Sequence, residues 1–302
     1  MIIPPYLKKG NTIGIVCTSG YMPLENTKTC VSVLKKAGYN VVLGKTVGNQ
    51  NNYFSGTDEE RLNDLQTMLD DDSIFAILCG RGGYGLSRIF KKINFKKFIK
   101  SPKWIIGFSD ITVLHSYINA QIKIATLHAP MVNAFNNDGY KNKYVQSLLN
   151  AIKGPSSPYY CLPHVFNKVG DITAELVGGN LCILAHLQGT TAAAKTKGKI
   201  LFLEDVGEYL YNIDRMFLQL KHGGVFKDLA GLIIGGFTEL KDTTIPFGQT
   251  VYEIIHSHIS EYNFPVCFNF PVSHDVENVA LKIGVTYQLK ITKNNVILKE
   301  VT

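Results

Sequence analysis

Short continuous apolar runs alternate with amphipathic stretches through the first half of the chain. Thr12-Ile13-Gly14-Ile15-Val16-Cys17 reads as a buried strand ending in the turn-prone Thr18-Ser19-Gly20. Apolar residues at helical spacing from Thr27 to Ala37 predict a helix stopped by Gly38. Asn40-Val41-Val42-Leu43 predicts the next strand. Leu62, Leu65, Met68 and Leu69 share one face of an amphipathic stretch from Glu59 to Leu69. Ile74 to Cys79 and Trp104 to Phe108 are two further buried strands. Uninterrupted apolar strands alternating with helices indicate a parallel sheet covered on both faces.

This alternation weakens after about residue 145, and Lys153-Gly154-Pro155-Ser156-Ser157-Pro158 has the composition of a linker. Beyond it the pattern predicts a helix at Gly179 to Leu187 and a strand at Lys199 to Leu203. A helix at Asp214 to Lys221 and a strand at Gly231 to Gly236 follow. Residues 278 to 300 read as β-structure, with Tyr287 to Ile291 and Val296 to Leu298 flanking a turn at Asn294-Asn295. The expected fold class is α/β: an N-terminal parallel-sheet, Rossmann-like (flavodoxin-like) domain plus a C-terminal mixed α/β, β-rich domain. The expected organisation is an N-terminal domain over 1–150, a linker over 151–170 and a C-terminal domain over 171–302, with a site between the two domains.

The length of 302 residues agrees with about two domains of roughly 150 residues each. An apolar fraction of 45% and a charged fraction of 18% exclude a disordered, collagenous or coiled-coil chain. The net charge of +7 suits an anionic ligand. It does not define a nucleic-acid surface, because the lysines form no single long tract. In the densest cluster, Lys91 to Lys103, the interleaved Ile89, Phe90, Ile93, Phe95, Phe98 and Ile99 read as a buried stripe beneath a solvated face.

Six cysteines, at 17, 30, 79, 161, 182 and 267, form no C-x-x-C pair and stand at no zinc-ligand spacing from a histidine. Cys17, Cys79, Cys182 and Cys267 sit in apolar stretches and read as small core residues of a protein in a reducing compartment. The N-terminus lacks a signal peptide's order, and no apolar run approaches the roughly 18 residues of a membrane span. A cytoplasmic location, no membrane association, no cofactor and no metal are therefore expected.

Four segments could carry chemistry. In Gly107-Phe108-Ser109-Asp110 a buried strand meets a single Ser and then a helix with Ile111, Leu114, His115 and Ile118 on one face. That is the layout of a nucleophile elbow, although G-x-S-x-G would need Gly at 111. Taken alone, Ser109 reads first as a helix N-cap. Gly80-Arg81-Gly82-Gly83-Tyr84-Gly85 follows a strand and offers close backbone approach, free N–H groups and a guanidinium for a carboxylate. It matches no nucleotide-binding fingerprint, and a plain tight turn is the other reading. Leu203-Glu204-Asp205-Val206-Gly207-Glu208 places three carboxylates at a strand end, either in a site or in a solvated acidic loop. Pro271-Val272-Ser273-His274-Asp275 puts a candidate general base in a loop, with His128, His164, His186 and His222 as competitors. The order Ser109, Glu204, His274 is also that of many α/β hydrolases.

With these residues in place the chain resembles the LD-carboxypeptidase family of serine peptidases. The resemblance spans nearly the whole sequence. It includes Arg81-Gly82-Gly83-Tyr84-Gly85, Gly107-Phe108-Ser109-Asp110-Ile111-Thr112, His128-Ala129-Pro130 and Gly178-Gly179-Asn180-Leu181. It continues through Leu203-Glu204-Asp205, Tyr211-Asn212-Ile213-Asp214-Arg215 and Pro271-Val272-Ser273-His274. Ala129 and Ser273 replace glycines usual in the family. The resemblance implies Ser109 as nucleophile, His274 as general base and Glu204 as its orienting carboxylate. It also implies an oxyanion hole from the backbone N–H of Asp110 and of Gly82 or Gly83, and substrate contacts from Arg81 and Tyr84. The implied substrate is a cytoplasmic murein tetrapeptide losing its terminal D-Ala during peptidoglycan recycling, without metal or cofactor, in a homodimer.

Two other functions share this resemblance. One is the related self-immunity branch, which hydrolyses aminoacyl-nucleotide amides of the microcin type. It carries an additional aromatic-bearing loop that is not evident between Tyr160 and Asp171, while Phe166 and the tyrosines keep base stacking open. The other is non-catalytic binding of peptidoglycan fragments on the same scaffold. A nucleic-acid module would need exposed aromatics interleaved with its basic residues.

Overall fold

The structure, a computed structural model, describes residues 1–301. The strands are β1 (Thr12–Val16), β2 (Asn40–Leu43), β3 (Ile74–Cys79), β4 (Trp104–Gly107), β5 (Thr126–His128), β6 (Tyr159–Cys161) and β7 (Gly170–Asn180). They continue with β8 (Ile200–Val206), β9 (Gly231–Thr238), β10 (Val266–Cys267), β11 (Leu281–Ile283), β12 (Thr286–Ile291) and β13 (Val296–Glu300). The helices are α1 (Thr27–Lys36), α2 (Asp58–Asp70), α3 (Leu86–Ile89), α4 (Lys96–Lys100), α5 (Thr112–Tyr117), α6 (Lys143–Ala151), α7 (Leu181–His186), α8 (Leu210–His222) and α9 (Val251–Ile259).

The first sheet has the order β11-β5-β4-β3-β1-β2, parallel except for β11. Read from β2, the parallel strands run 2-1-3-4-5, the doubly wound order in which a crevice opens beyond the carboxyl ends of the strands. The continuous apolar runs explain this sheet: Ile13, Ile15, Ala76, Leu78, Trp104 and Ile106 pack on one face and Val16, Ile77, Cys79 and Ile105 on the other. The fold class is the expected one.

The second sheet has the order β10-β9-β8-β7-β12-β13-β6, parallel from β10 to β7 and antiparallel beyond. Its two edge strands meet: Cys161 of β6 and Cys267 of β10 bring their sulfurs to 3.6 Å, so the sheet curls on itself. All six cysteines are free.

Several elements depart from the sequence pattern. β11 belongs by sequence to the second half yet completes the first sheet against β5, in antiparallel register Leu281↔His128 to Ile283↔Thr126. β6 lies inside the Pro-rich linker. α6 and α9 fall at or beyond the point, near residue 145, where the alternation weakens; α9 is capped by a Thr250–Glu253 capping box. The Lys91–Lys103 cluster has the expected buried stripe in Ile89, Phe90, Ile93, Phe95 and Phe98, carried on short helical pieces. Ile99 is exposed, and Lys103 is buried with its ammonium donating to the carbonyls of Met68 (3.2 Å) and Asp71 (2.6 Å).

Candidate active site

The elbow begins where β4 ends. Gly107 has φ 156°, and a methyl group there would lie 2.8 Å from Ile111 Cγ1, so the helix can pack against the strand end only over a bare backbone. Phe108 is extended and Ser109 then turns into the left-handed region at φ 63°. That conformation costs a non-glycine residue on the order of 1 kcal/mol and persists only where its surroundings impose it. The imposing contacts are visible. Asp110 is buried, and its Oδ2 accepts from Ser19 Oγ at 2.6 Å and from the Leu86 N–H at 2.9 Å. One carboxylate thus ties the loops after β1 and β3 to the elbow. Burial raises its pKa, partly opposed by these two bonds. Ser109 is not a helix N-cap: it is the first residue of a short 3-10 turn and its hydroxyl caps nothing.

The glycine loop after β3 comes up against Ser109. The Gly20 N–H donates to the Gly82 carbonyl at 3.1 Å, and Gly83 adopts φ 99°. Arg81 is exposed, and its Nη1 donates to the Tyr21 carbonyl at 2.7 Å.

Glu204 and Asp205 are not in a solvated loop. They lie within β8 and are almost completely buried. β8 stays in register with β7 up to Asn180↔Glu204, but shifts against β9 between Leu203 and Asp205. Such bulges re-aim side chains and are frequent beside active sites. Opposite the bulge, a methyl on Gly235 would meet the Val272 carbonyl at 2.2 Å and Glu204 Cβ at 3.2 Å, so the Val272–His274 segment lies directly over bare strand backbone. The Gly236 N–H fixes it by donating to the Val272 carbonyl at 2.9 Å.

This brings His274 Nδ1 to 2.6 Å from Glu204 Oε2. A carboxylate only accepts, so Nδ1 carries the proton and Nε2 is left with its lone pair. Nε2 is buried and has no hydrogen-bond partner among the described residues. Burial, the largest single effect, disfavours the imidazolium, but the charge and hydrogen bond of Glu204 together with the charges of Asp205 and Glu239 raise the His274 pKa above the ordinary value. The Phe108 ring packs edge-on to the imidazole, centroid to centroid 4.8 Å.

Gly82, Ser109, Asn180, Asp205, Glu208 and His274 line one cavity of about 390 Å³, which Arg81, Gly83 and Asp110 also border. A second cavity of about 300 Å³ shares Arg81, Phe108, Met131 and His274 with it. The structure therefore brings together Ser109, Glu204, His274, Asp110, Arg81, Gly82 and Gly83. Tyr84 borders neither cavity; it is exposed, with its ring 6.2 Å from Phe54.

Asp205 is a participant that the pattern could not separate from its neighbours. Its Oδ1 accepts from Asn180 Nδ2 at 2.7 Å and its Oδ2 from the Cys182 N–H at 2.9 Å, joining β8 to the start of α7. Burial, aided by the charge of Glu204, pushes its pKa up to about 7. Asn278 borders the second cavity and is buried beside His128. His128, a competitor for the base, is buried with its pKa lowered, chiefly by burial. His115 bonds Thr126 Oγ1 and the Gly107 carbonyl, both at 2.8 Å, and is pushed down to about 4 by burial. Among the described residues no group of three or more His, Cys, Asp or Glu side chains is arranged to hold a metal ion. None of their helices is long and apolar enough to cross a membrane.

Comparison with known proteins agrees with this architecture. The family model of the LD-carboxypeptidase N-terminal domain matches residues 13–129, and that of the C-terminal domain matches residues 173–289. A probable murein peptide carboxypeptidase of Bacillus subtilis is 32% identical, over 98% of this chain and 94% of its own length. The crystal structure of muramoyltetrapeptide carboxypeptidase from Oxalobacter formigenes superposes with a TM-score of 0.88 at 27% identity, covering 96% of this chain and 99% of that one. The microcin C7 self-immunity protein MccF, in complex with aspartyl sulfamoyl adenosine, shares the fold at a TM-score of 0.87 and 22% identity, over 100% of this chain and 99% of that one. The chain belongs to the LD-carboxypeptidase family of serine-type hydrolases.

Proposed function

We propose that this protein is a murein tetrapeptide LD-carboxypeptidase that releases the terminal D-Ala through a Ser109–His274–Glu204 triad. The observation that carries the reading is the 2.6 Å bond from His274 Nδ1 to Glu204, with Nε2 left unpartnered beside the cavity that Ser109 lines. A serine hydroxyl is a weak nucleophile until a base takes its proton. Nε2 of His274 takes it as Oγ attacks the scissile carbonyl, and Glu204 stabilises the imidazolium. The N–H of Asp110 and of Gly82 or Gly83 receive the oxyanion. His274 returns the proton to the departing D-Ala amine, and water then hydrolyses the acyl-enzyme by the same route. Arg81 borders both cavities and offers its guanidinium to a substrate carboxylate; Tyr84 adds contact outside the cavities. The reading places the enzyme in recycling of murein peptides in the cytoplasm, as a homodimer of two-domain subunits.

The test is mass spectrometry of murein tetrapeptide incubated with the protein and with Ser109→Ala. Loss of one D-Ala with the parent alone supports the reading. Loss with both removes Ser109 as nucleophile. Loss with neither, by a folded protein, turns the assignment to aminoacyl-nucleotide amides or to binding of peptidoglycan fragments.

A further inference from the structure

Cys161 and Cys267 come from opposite edges of the second sheet, and their sulfurs stand 3.6 Å apart. The strands that carry them are short: β6 has three residues and β10 has two. Short edge strands are the parts of a sheet that open most easily. The two sulfurs differ in access. Cys161 is half-buried and borders a third cavity of about 380 Å³, beside Tyr160, Leu162, Asn269 and Pro271. Cys267 is buried and does not line that cavity. They differ in chemistry too. The Cys267 S–H can donate to the Cys161 sulfur or to the Phe268 carbonyl, each at 3.6 Å. Donation from Cys267 lowers the Cys161 pKa, outweighing burial. The same bond, together with burial, raises that of Cys267. Burial is the chief cause that raises Cys17, Cys30, Cys79 and Cys182. The thiolate is the reactive form of cysteine. Among the six cysteines, Cys161 is therefore the one poised to react, and Cys267 is the thiol in contact with it.

We infer that Cys161 and Cys267 form an oxidisable dithiol: Cys161 reacts first with hydrogen peroxide, and Cys267 then closes a disulfide across the two edges of the sheet. In the first step the Cys161 thiolate attacks one oxygen of the peroxide. An S–O bond forms, the O–O bond breaks, and the departing hydroxide takes a proton to become water, leaving a sulfenic acid. In the second step the Cys267 sulfur loses its proton and attacks the Cys161 sulfur. The S–S bond forms, the S–O bond breaks, and hydroxide leaves with that proton as a second water. Two thiols and one peroxide thus give one disulfide and two waters, and the peroxide takes up the two electrons that the sulfurs lose. At 3.6 Å the sulfurs are already in van der Waals contact, so the second step starts from the arrangement the fold provides. The bond joins β6 to β10 and closes the seven-stranded sheet, and a thiol reductant reopens it. It spans 106 positions of chain, and long loops gain most from a cross-link. Neither cysteine lines the two cavities around His274, so this chemistry stands apart from the triad.

The experiment treats the reduced parent protein with hydrogen peroxide, blocks the remaining thiols with iodoacetamide under denaturing conditions, and maps the peptides by mass spectrometry. The expected product is a linked Cys161–Cys267 peptide, about 2 Da lighter than the two reduced peptides together, which dithiothreitol separates. Cys17, Cys30, Cys79 and Cys182 are alkylated in the same sample. The oxidised protein unfolds several degrees above the reduced one. In Cys267→Ser the resolving thiol is gone, and Cys161 gains one or two oxygens, about 16 or 32 Da. In Cys161→Ser, Cys267 stays open to alkylation. The map of the parent decides the matter even where a serine variant fails to fold. A disulfide at another pair, a cross-link between two copies of the chain, oxidation of Cys267 ahead of Cys161, or no link at all overturns the inference. So does a link that leaves the unfolding temperature unchanged, because the sheet edges are then not held by it.

Discussion

Gly82 and Ser109 approach so closely that a methyl group on Gly82 would lie 2.8 Å from Ser109 Cβ and 3.0 Å from its Oγ. Both neighbours are constrained: Gly82 through its carbonyl to Gly20, and Ser109 by its left-handed backbone. The hydroxyl has no room to retreat without leaving the cavity. Gly82→Ala is therefore expected to lower kcat about 100-fold or more, the scale of losing one oxyanion donor, with a melting temperature within a few degrees of the parent. Steady-state kinetics beside thermal unfolding checks this. An alanine variant with full kcat would show that the glycine loop is not part of the reacting surface.

On the proposed triad, the bond between Glu204 and His274 gives activity a definite pH dependence. A general base works deprotonated, so kcat/KM rises with pH through the His274 pKa. That pKa lies above the ordinary histidine value near 6.5, because Glu204, with smaller contributions from Asp205 and Glu239, outweighs burial. Glu204→Gln removes the dominant charge and leaves the burial. The ascending limb should then move to lower pH while kcat falls roughly 100- to 10,000-fold, as the imidazole loses the carboxylate that fixes its tautomer. A limb that stays in place would mean that the profile reports a different group.

Burial separates what the residue pattern shows of this site from what it hides. Ser109 was legible because the apolar run Trp104–Gly107 stops just before it and a helical face starts just after. Its role as elbow rather than cap depends on φ, which Gly82, Asp110 and Ser19 impose from other parts of the chain. Glu204 and Asp205 look like a solvated loop because charged residues are seldom fully buried unless paired. Nothing in the local pattern joins them to His274, seventy positions later; the resemblance implied that partnership, and the fold brings His274 Nδ1 to 2.6 Å from Glu204. The N-terminal sheet was readable from its continuous apolar strands. β11 falls inside the 278–300 stretch that reads as β-structure, but its sheet was not legible, since its place is set by pairing with β5 rather than by its own pattern.

A buried ion pair anchors that strand. Lys282 of β11 donates to Glu300 Oε1 (3.1 Å) and Oε2 (2.9 Å) and to the Gly154 carbonyl (2.7 Å). The Ser156 N–H also donates to Glu300, at 2.7 Å. The bond network thus links the first sheet, the linker and the last strand. Removing one member strands a charge away from water, which typically costs about 3–5 kcal/mol. Lys282→Met should lower the urea midpoint accordingly, and Lys282→Met with Glu300→Gln should recover part of the loss. Equal midpoints for Lys282→Met and the parent would show that the pair contributes no net stability.

Asp205 makes folding stability depend on pH in a direction opposite to that of an ordinary salt-bridged carboxylate. Burial first, and the charge of Glu204 second, push its pKa from 3.8 in the unfolded chain up to about 7. The folded state therefore holds this proton more tightly than the unfolded state. The associated stability is complete below about pH 4 and is lost as pH rises towards and through 7. His274, whose folded pKa is also raised, shifts stability in the same direction, so the contribution of Asp205 must be taken as a difference. Asp205→Asn cannot titrate. It keeps one acceptor oxygen where the carboxylate serves Asn180, Cys182 and Val206, which costs a roughly constant 1 kcal/mol or so. Urea unfolding of parent and variant from pH 4 to pH 8 should show the parent ahead at the acidic end. Its lead should shrink steadily as Asp205 gives up its proton. A lead that is constant across the range would mean that Asp205 is ionised throughout, with its three donors outweighing both burial and Glu204.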